Sequence, residues 1–320
     1  MDITPARKQN LDSAVDLSIV IVSWNTAQLL AQCLRTIYAH PPAGKFEVLV
    51  VDNASIDDSA QMVRQQFPQV RLFENEVNVG FAGANNQAIR QSSGRYILLL
   101  NPDTEMKPHM LERLVNFMET HAQAGAAGPC LLNPDGSIQR WSLPVPTPTL
   151  FREFWRLFHL DVIWPYSSYR TARWNLAQPQ KVDTLLGACL LLRRTALDQI
   201  GLLDENYFIF SEEVDLCYRL QKANWYLYWL PQVQIVHYGG QSTKLLAAEM
   251  FVYLYEGKVI FMRKHYGWPA SYIYKFILLV TALTRLLFSP LTWLEPPSRR
   301  HWNLTLASRY WQLVRALPGM

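Results

Sequence analysis

Cysteine is scarce in this chain and shows no pairing pattern. Cys33, Cys130, Cys189 and Cys217 are the four in 320 residues, with no Cys-x-x-Cys and no His at a zinc-ligand spacing. A zinc ribbon and a disulfide scaffold are thereby excluded, and the four read as buried thiols in a reducing cytosol. Charge is also low, at 18% of residues against 50% hydrophobic, which excludes a disordered chain and leaves an ordered globular one. Neither a Gly-x-Gly-x-x-Gly fingerprint nor a Walker sequence occurs; "GFAGANN" has the wrong spacing, so dinucleotide-binding and P-loop folds, and with them nicotinamide chemistry, fall away. Residues 1–16 hold no apolar stretch of signal-peptide type; they are expected to be a flexible tail, and export through an N-terminal signal is not expected.

What is present is unevenly distributed. From residue 241 onward there are ten Lys and Arg against three acids, so this tail carries +7 and the remainder −3 of the chain's +4. The same tail contains "FILLVTALTRLLFSPLTWL", Phe276 to Leu294, an apolar run interrupted by Arg285 and Pro290 before it reaches uninterrupted spanning length. Basic flanks and aromatic anchors make residues 244–320 read as a helical, membrane-associating region, lying in an interface or re-entrant. A buried helix or a dimer interface are the other readings. Nucleic acid is the poorer match, because aliphatic and aromatic residues dominate over a basic stripe.

The first two-thirds alternate between strand and helix patterns. Leu17 to Ser23, Phe46 to Asp52, the segment "VRLFEN" and Tyr96 to Leu100 read as strands; "TAQLLAQCLRTIYAH", a segment capped by Ser55 with Asp57 and Asp58 in its first turn, and "AGANNQAIRQS" read as helices. The fold class is therefore α/β, a sheet covered by helices with ligands at the carboxyl ends of its strands. Each such end is polar: Ser23-Trp24-Asn25, Asp52-Asn53, Asn78-Val79-Gly80 and Asn101-Pro102-Asp103. One Asn/Asp turn is ordinary. Four in register suit a nucleotide, with Asp accepting from base or ribose, Asn of either polarity, and Gly80 admitting close backbone approach. The diphosphate then needs a divalent metal, for which Asp103 is the placed hard-oxygen ligand.

"VSWN", "VVDNASIDDS", "NVGFAGANNQAI", "LLLNPDTE", "LLGACLLLRR", "DENYFIFSEEVDLCYRL" and "VHYGGQST" occur in that order between Leu17 and Thr243. Together they resemble the family 2 glycosyltransferases of GT-A fold, in particular a rhamnosyltransferase-like branch. The resemblance implies a GT-A domain over 17–243 and inverting transfer of a sugar, rhamnose from dTDP-rhamnose, to a hydroxyl of a lipid-linked or polysaccharide acceptor in cell-surface glycan synthesis. It implies a nucleotide-sugar donor bound by Asp52, Asn78 and Asn85 or Asn86, and Mg2+ or Mn2+ held by Asp103 of the Asp-x-Asp motif, whose first position is here Asn101. His237 is implied as a further metal or diphosphate contact, with Ser242, Thr243 and Lys244 within reach of phosphate. Gly187 and Arg193 are assigned to the acceptor side or to support. The enzyme is expected to be peripheral at the cytoplasmic face of the membrane. A UDP-hexose-dependent transferase and a non-catalytic membrane-associated assembly subunit are the alternatives; the oligomeric state is left open.

Glu212, Glu213 and Asp215 crowd into four positions. Displacement at an anomeric carbon needs one base for the acceptor hydroxyl, and by motif position Glu213 resembles it. With Ser211 as N-cap, Glu212 and Glu213 fall in the first turn about 100° apart. The helix N-terminus is expected to favour ionised carboxylates over strongly raised pKa values. Asp215 reads equally as a helper that orients a neighbour or as the partner of Arg219, Arg193 or Arg194. The aromatic-rich segment 140–180 is expected to form the acceptor side of the cleft.

Overall fold

The computed structural model describes residues 15–171, 174–240, 247–289 and 297–320. Most of the expected N-terminal tail, together with Ser242, Thr243, Lys244 and Pro290, lies outside the described residues. Asp16, assigned to that tail, is held: its amide donates to Lys45 O at 2.8 Å and its carboxylate pairs with Arg95.

The all-apolar runs become the sheet centre. β1 (Leu17–Ser23), β2 (Phe46–Asp52), β3 (Arg71–Glu74) and β4 (Tyr96–Leu100) are parallel, with β1 and β4 buried along their whole length, as strands covered on both faces must be. Their crossovers are α1 (Ala27–Ala39), α2 (Ser59–Gln66) and α3 (Gly80–Gln91). α1 ends before Pro41 and Pro42. α2 begins three residues later than a Ser55 cap suggests: the Ser55 hydroxyl accepts from Asn25 N instead, and Asp57 accepts from the Ser59 amide and hydroxyl. At the exposed edge, Arg71 and Glu74 of β3 pair with Glu47 and Arg64, charges that keep this edge from pairing with another chain.

Beyond β4 the sheet turns mixed. β5 (Thr104–Met106), α4 (Met110–Thr120), β6 (Ala124–Leu132), α5 (Leu150–Leu157), β7 (Gln180–Val182), β8 (Cys189–Arg193), α6 (Arg194–Ile200), α7 (Glu212–Lys222) and β9 (Tyr226–His237) follow in chain order. Among the described residues nine strands form one sheet in the order β3-β2-β1-β4-β8-β6-β9-β5, with β7 against β9. β8 runs antiparallel between β4 and β6, so Cys189 faces Leu100 at the polar end and Arg193 faces Tyr96 at the opposite end. β5 pairs antiparallel with β9, and the register Thr104↔His237 brings Asp103 beside His237. All four cysteines are buried and free.

The C-terminal region is α8 (Ala247–Phe288) and α9 (Pro297–Ala316). α8 is two helical segments joined at Gly267, whose φ of 86° only glycine adopts freely, with Pro269 in the first turn of the second segment, where its missing N–H leaves nothing unpaired. The first segment buries Tyr255, Val259, Phe261 and Met262 in a cluster with Tyr207 of the catalytic half, Tyr274 and Leu278 of its own second segment, and Tyr310 and Leu313 of α9. α5 lies along α8: fully buried Glu153 receives Lys258 and Arg156, each at 2.7 Å, and the Tyr266 hydroxyl donates to Pro148 O. Burial raises the Glu153 carboxyl, but the Lys258 and Arg156 charges hold it below its usual value. Within the inserted segment 140–180, α5 therefore packs on α8, while Leu143, Tyr169 and Trp174 pack on the sheet core.

Candidate active site

The carboxyl ends of β1, β2, β4 and β9 and the neighbouring loops enclose a cavity of about 750 Å3, within the usual size of a ligand site. Trp24, Asn53, Asn78, Gly80, Asn101, Asp103, Gly187, Glu212, Glu213 and His237 all line it. Its remaining wall is mostly apolar and aromatic, with Trp141 from the insert, Phe208 and Phe210 from the loop before α7, and Met250 and Tyr253 from α8, which also contributes Glu249.

The approach to α7 is strained. Phe210 and Ser211 both have φ near +70°, the left-handed region that costs a non-glycine residue about 1–3 kcal/mol. Ser211 occupies the N-cap position, but its side chain makes no capping hydrogen bond. The turn delivers Glu212 and Glu213 into the cavity, where their carboxyls share a hydrogen bond and one oxygen of each has no partner. Their tips thus converge despite adjacent positions on the helix. Burial outweighs the helix N-terminus, contrary to the expectation of little shift. Glu212 is driven well above its ordinary value by burial and by the charge on Glu213, while Glu213, also raised by burial, is drawn back by backbone hydrogen bonds and by the hydrogen bond from Glu212. Two acids so placed cannot both ionise cheaply, so the pair favours one proton held between them.

Asp103 and His237 form the second polar pair. The Gln139 amide nitrogen donates to His237 O at 3.0 Å and to Asn133 Oδ1 at 3.2 Å, so its oxygen is what faces His237 Nδ1 at 2.8 Å. That orientation assigns the proton to Nδ1 and leaves Nε2 a bare acceptor. Nε2 is buried, makes no hydrogen bond and lies 3.3 Å from Asp103 Oδ1. Two lone-pair-bearing atoms aimed at one another want a cation between them, so the donor set fits a divalent metal. Among the described residues no third His, Cys, Asp or Glu completes a cluster with them.

Residues 18–201 match the family model Glycosyl transferase family 2. The chain belongs to glycosyl transferase family 2. It is 33% identical over 236 residues to the N-acetylglucosaminyl-diphospho-decaprenol L-rhamnosyltransferase of Mycobacterium tuberculosis, covering 69% of this chain and 76% of that one. It is 24% identical over 243 residues to the rhamnosyltransferase WbbL of Escherichia coli K12, covering 73% and 87%. The fold is similar to the mannosyltransferase PcManGT of Pyrobaculum calidifontis, solved with GDP-Man and Mn2+, at a TM-score of 0.60 and 18% identity over 97% of this chain and 90% of that one. This family 2 enzyme is a glycosyltransferase of GT-A type with a helical C-terminal region.

Within the glycosyltransferase, several residues expected at the donor lie outside the cavity wall. Asn85 donates to Phe81 O inside α3, and Asn86 holds Leu203 through both its amide atoms and also donates to Glu205. Ser23 bonds Thr26, and Asn25 clasps residues 55 and 56. Asp52 accepts from Ser55 N, while its other oxygen is buried without a partner. Arg193 donates to Ala124 O, Met118 O and His121 O at the far end of the sheet, a structural tie remote from the acceptor side. Asp215 turns away from the cavity into a charged cluster with Arg219, Lys264 and His265. Gly80 is needed chiefly for the protein's own packing, since a Cβ there would lie 2.5 Å from Phe208 O. Gln139 and the cavity residues of α8 went unforeseen: a lone Gln in a turn carries no motif, and 249–253 falls beyond the recognisable stretch.

Proposed function

We propose that this glycosyltransferase moves rhamnose, with inversion, from a nucleoside-diphosphate donor to a hydroxyl of a lipid-linked acceptor. The observation that carries the chemistry is one cavity lined both by two adjacent buried carboxyls and by an Asp–His pair that fits a cation. Glu213 takes the acceptor proton as the acceptor oxygen bonds to the anomeric carbon and the bond from that carbon to the diphosphate breaks. Glu212, kept neutral, donates to Glu213 and orients it. A divalent cation held by Asp103 and His237 would neutralise charge on the departing diphosphate. Asn101, Asn53 and Asn78 line the donor side. Trp141, Phe208, Phe210 and Tyr253 offer rings on which a sugar stacks. Rhamnose and a lipid-linked acceptor are supported by the names of the Mycobacterium and Escherichia relatives.

The test is calorimetric titration with dTDP-rhamnose, UDP-glucose and GDP-mannose, with and without Mn2+. Binding of dTDP-rhamnose that depends on Mn2+ and is lost in Asp103→Ala is the expected result. Binding of another donor overturns the sugar, and tight binding unaffected by Mn2+ or by the substitution overturns the metal pair.

The second segment of α8 supports the membrane reading. Trp268, Tyr272, Phe276, Leu283 and Leu287 are all exposed and recur at helical spacing on one stripe, while Tyr274, Leu278 and Ala282 are buried on the other side. Lys275 and Arg263 lie over the Tyr272 and Trp268 rings, the mixture of basic and aromatic anchors that an anionic membrane surface attracts. An 18-residue stretch of α8 is apolar enough by composition to cross a bilayer, with a mean hydropathy of 1.5. The first segment of α8, however, lines the cavity and packs on the core, which favours lying in the interface at the inner face. Flotation with vesicles containing anionic lipid should recover the wild-type protein and lose Trp268→Ser/Phe276→Ser; equal flotation of both contradicts this face.

A further inference from the structure

The charged cluster under α7 lies outside the cavity, and the chemistry above leaves it unused. Asp215 is fully buried, yet one of its oxygens receives both Lys264 Nζ at 2.8 Å and His265 Nε2 at 2.7 Å, and the other receives Arg219 Nε at 2.7 Å. Lys264 reaches on to Asp204 at 2.6 Å, and Arg219 donates to the carbonyls of Ile200, Gly201 and Leu202. Two carboxylates and two fixed cations, with the imidazole as a further donor, thus join three pieces: the loop from 200 to 204, α7, and the end of the first segment of α8. Asp215 is one helical turn from Ser211, whose carbonyl its amide meets at 2.9 Å, and Glu212 and Glu213 lie within that turn. Gly257 of α8 presses on the same place from the other side, because a Cβ there would come within 2.6 Å of Phe210 O. The strained 210–211 turn is thus gripped between Gly257 on α8 and the helix that Asp215 anchors to α8.

We infer that Lys264 and His265 are positioning residues for the transfer reaction, fixing through Asp215 the helix turn that aims Glu213 at the acceptor hydroxyl. The inference rests on the reading of Glu213 as the base. On this account the first segment of α8 belongs to the catalytic unit, and a boundary at 243/244 would divide that unit. Neither Lys264 nor His265 lines the cavity, so loosening the anchor should disturb the aim of Glu213 more than donor binding; a misplacement of about 1 Å can cost roughly a hundredfold in rate.

The experiment uses the full chain with a donor it turns over, comparing Lys264→Met, His265→Leu and the double variant with Lys264→Arg and His265→Gln, which keep a donor for Asp215. kcat is read beside donor Kd and melting temperature. The expected result is a fall in kcat of roughly tenfold to a hundredfold in the double variant, with donor Kd within about twofold, and recovery of most of the rate in His265→Gln. The single variants keep the comparison available should the double variant not fold. Unchanged kcat in both Lys264→Met and His265→Leu overturns the inference. So does a loss of donor affinity that matches the loss of rate, since that marks a merely structural tie. Glu213→Gln separates the two claims: full activity there sinks the base assignment, whereas an inactive Glu213→Gln beside fully active anchor variants sinks only the positioning role.

Discussion

Glu212 and Glu213, on the first turn of α7, and Asp215, two residues further on, are chemically alike and have opposite fates. The two glutamates enter a largely apolar cavity with, among the described residues, no cation beside them, and burial raises both. For Asp215 burial also raises, but hydrogen bonds from His265 and Lys264 and the Arg219 charge overcome it and hold the carboxyl at about 2. The helix dipole acts on all three, so it cannot be what separates them. The difference lies in what faces each carboxyl, cations from α8 in one case and a second acid in the other. A cluster of acids in a sequence therefore says little about charge until the opposing surface is known.

The largest effect that would sharpen this contrast is on catalysis. Glu213→Gln should lower kcat by roughly 10^2 to 10^4 while leaving donor Kd nearly unchanged, measured by transfer assay beside calorimetry. On the Asp215 side the effect should be on stability. Asp215→Asn leaves Lys264 and Arg219 without their buried partner and should cost about 3 kcal/mol in denaturant melts. The smallest effect is a pair of opposite pH dependences. A carboxyl whose folded pKa is lowered from 3.8 to about 2 stabilises the fold above about pH 4 and loses that stabilisation as pH falls towards 2, so the deficit of Asp215→Asn should shrink across that window. The raised glutamates do the reverse: they favour folding below 4.5 and oppose it as pH rises through their folded values. Glu212→Gln/Glu213→Gln should therefore melt higher than wild type near neutrality and converge with it in acid. The same sign for both variants would break the comparison.

Much of the catalytic half was legible because its information is local. β1, β2 and β4 are short, mostly apolar runs, and the residues read as strands at 17–23, 46–52 and 96–100 are the observed ones. Polar residues at the ends of those strands marked where the cavity lies. What could not be read depends on distant partners. Asn85 and Asn86 look like donor contacts by motif, but α3 turns one to its own backbone and the other to Leu203. Arg193 lies in a strand whose antiparallel insertion carries its side chain away from the site. Asp215 finds Lys264 and His265 about fifty residues along the chain, in a region whose composition read first as membrane-associating. The insert was expected to wall the acceptor side; Trp141 does line the cavity, while α5 packs on α8 because Glu153 pairs with Lys258 there.

The claim on which the rest depends is that Glu213 is the ionised base of a buried pair whose other member keeps its proton. The most direct measurement is the pH dependence of kcat/KM for the wild-type enzyme between about pH 4 and pH 8, with donor binding followed in parallel. The account predicts an acid limb whose midpoint lies clearly above the ordinary glutamate value of about 4.3, with activity lost as pH falls while donor binding persists. A rate that stays level down to about pH 5, or that falls only in step with donor binding, would contradict it.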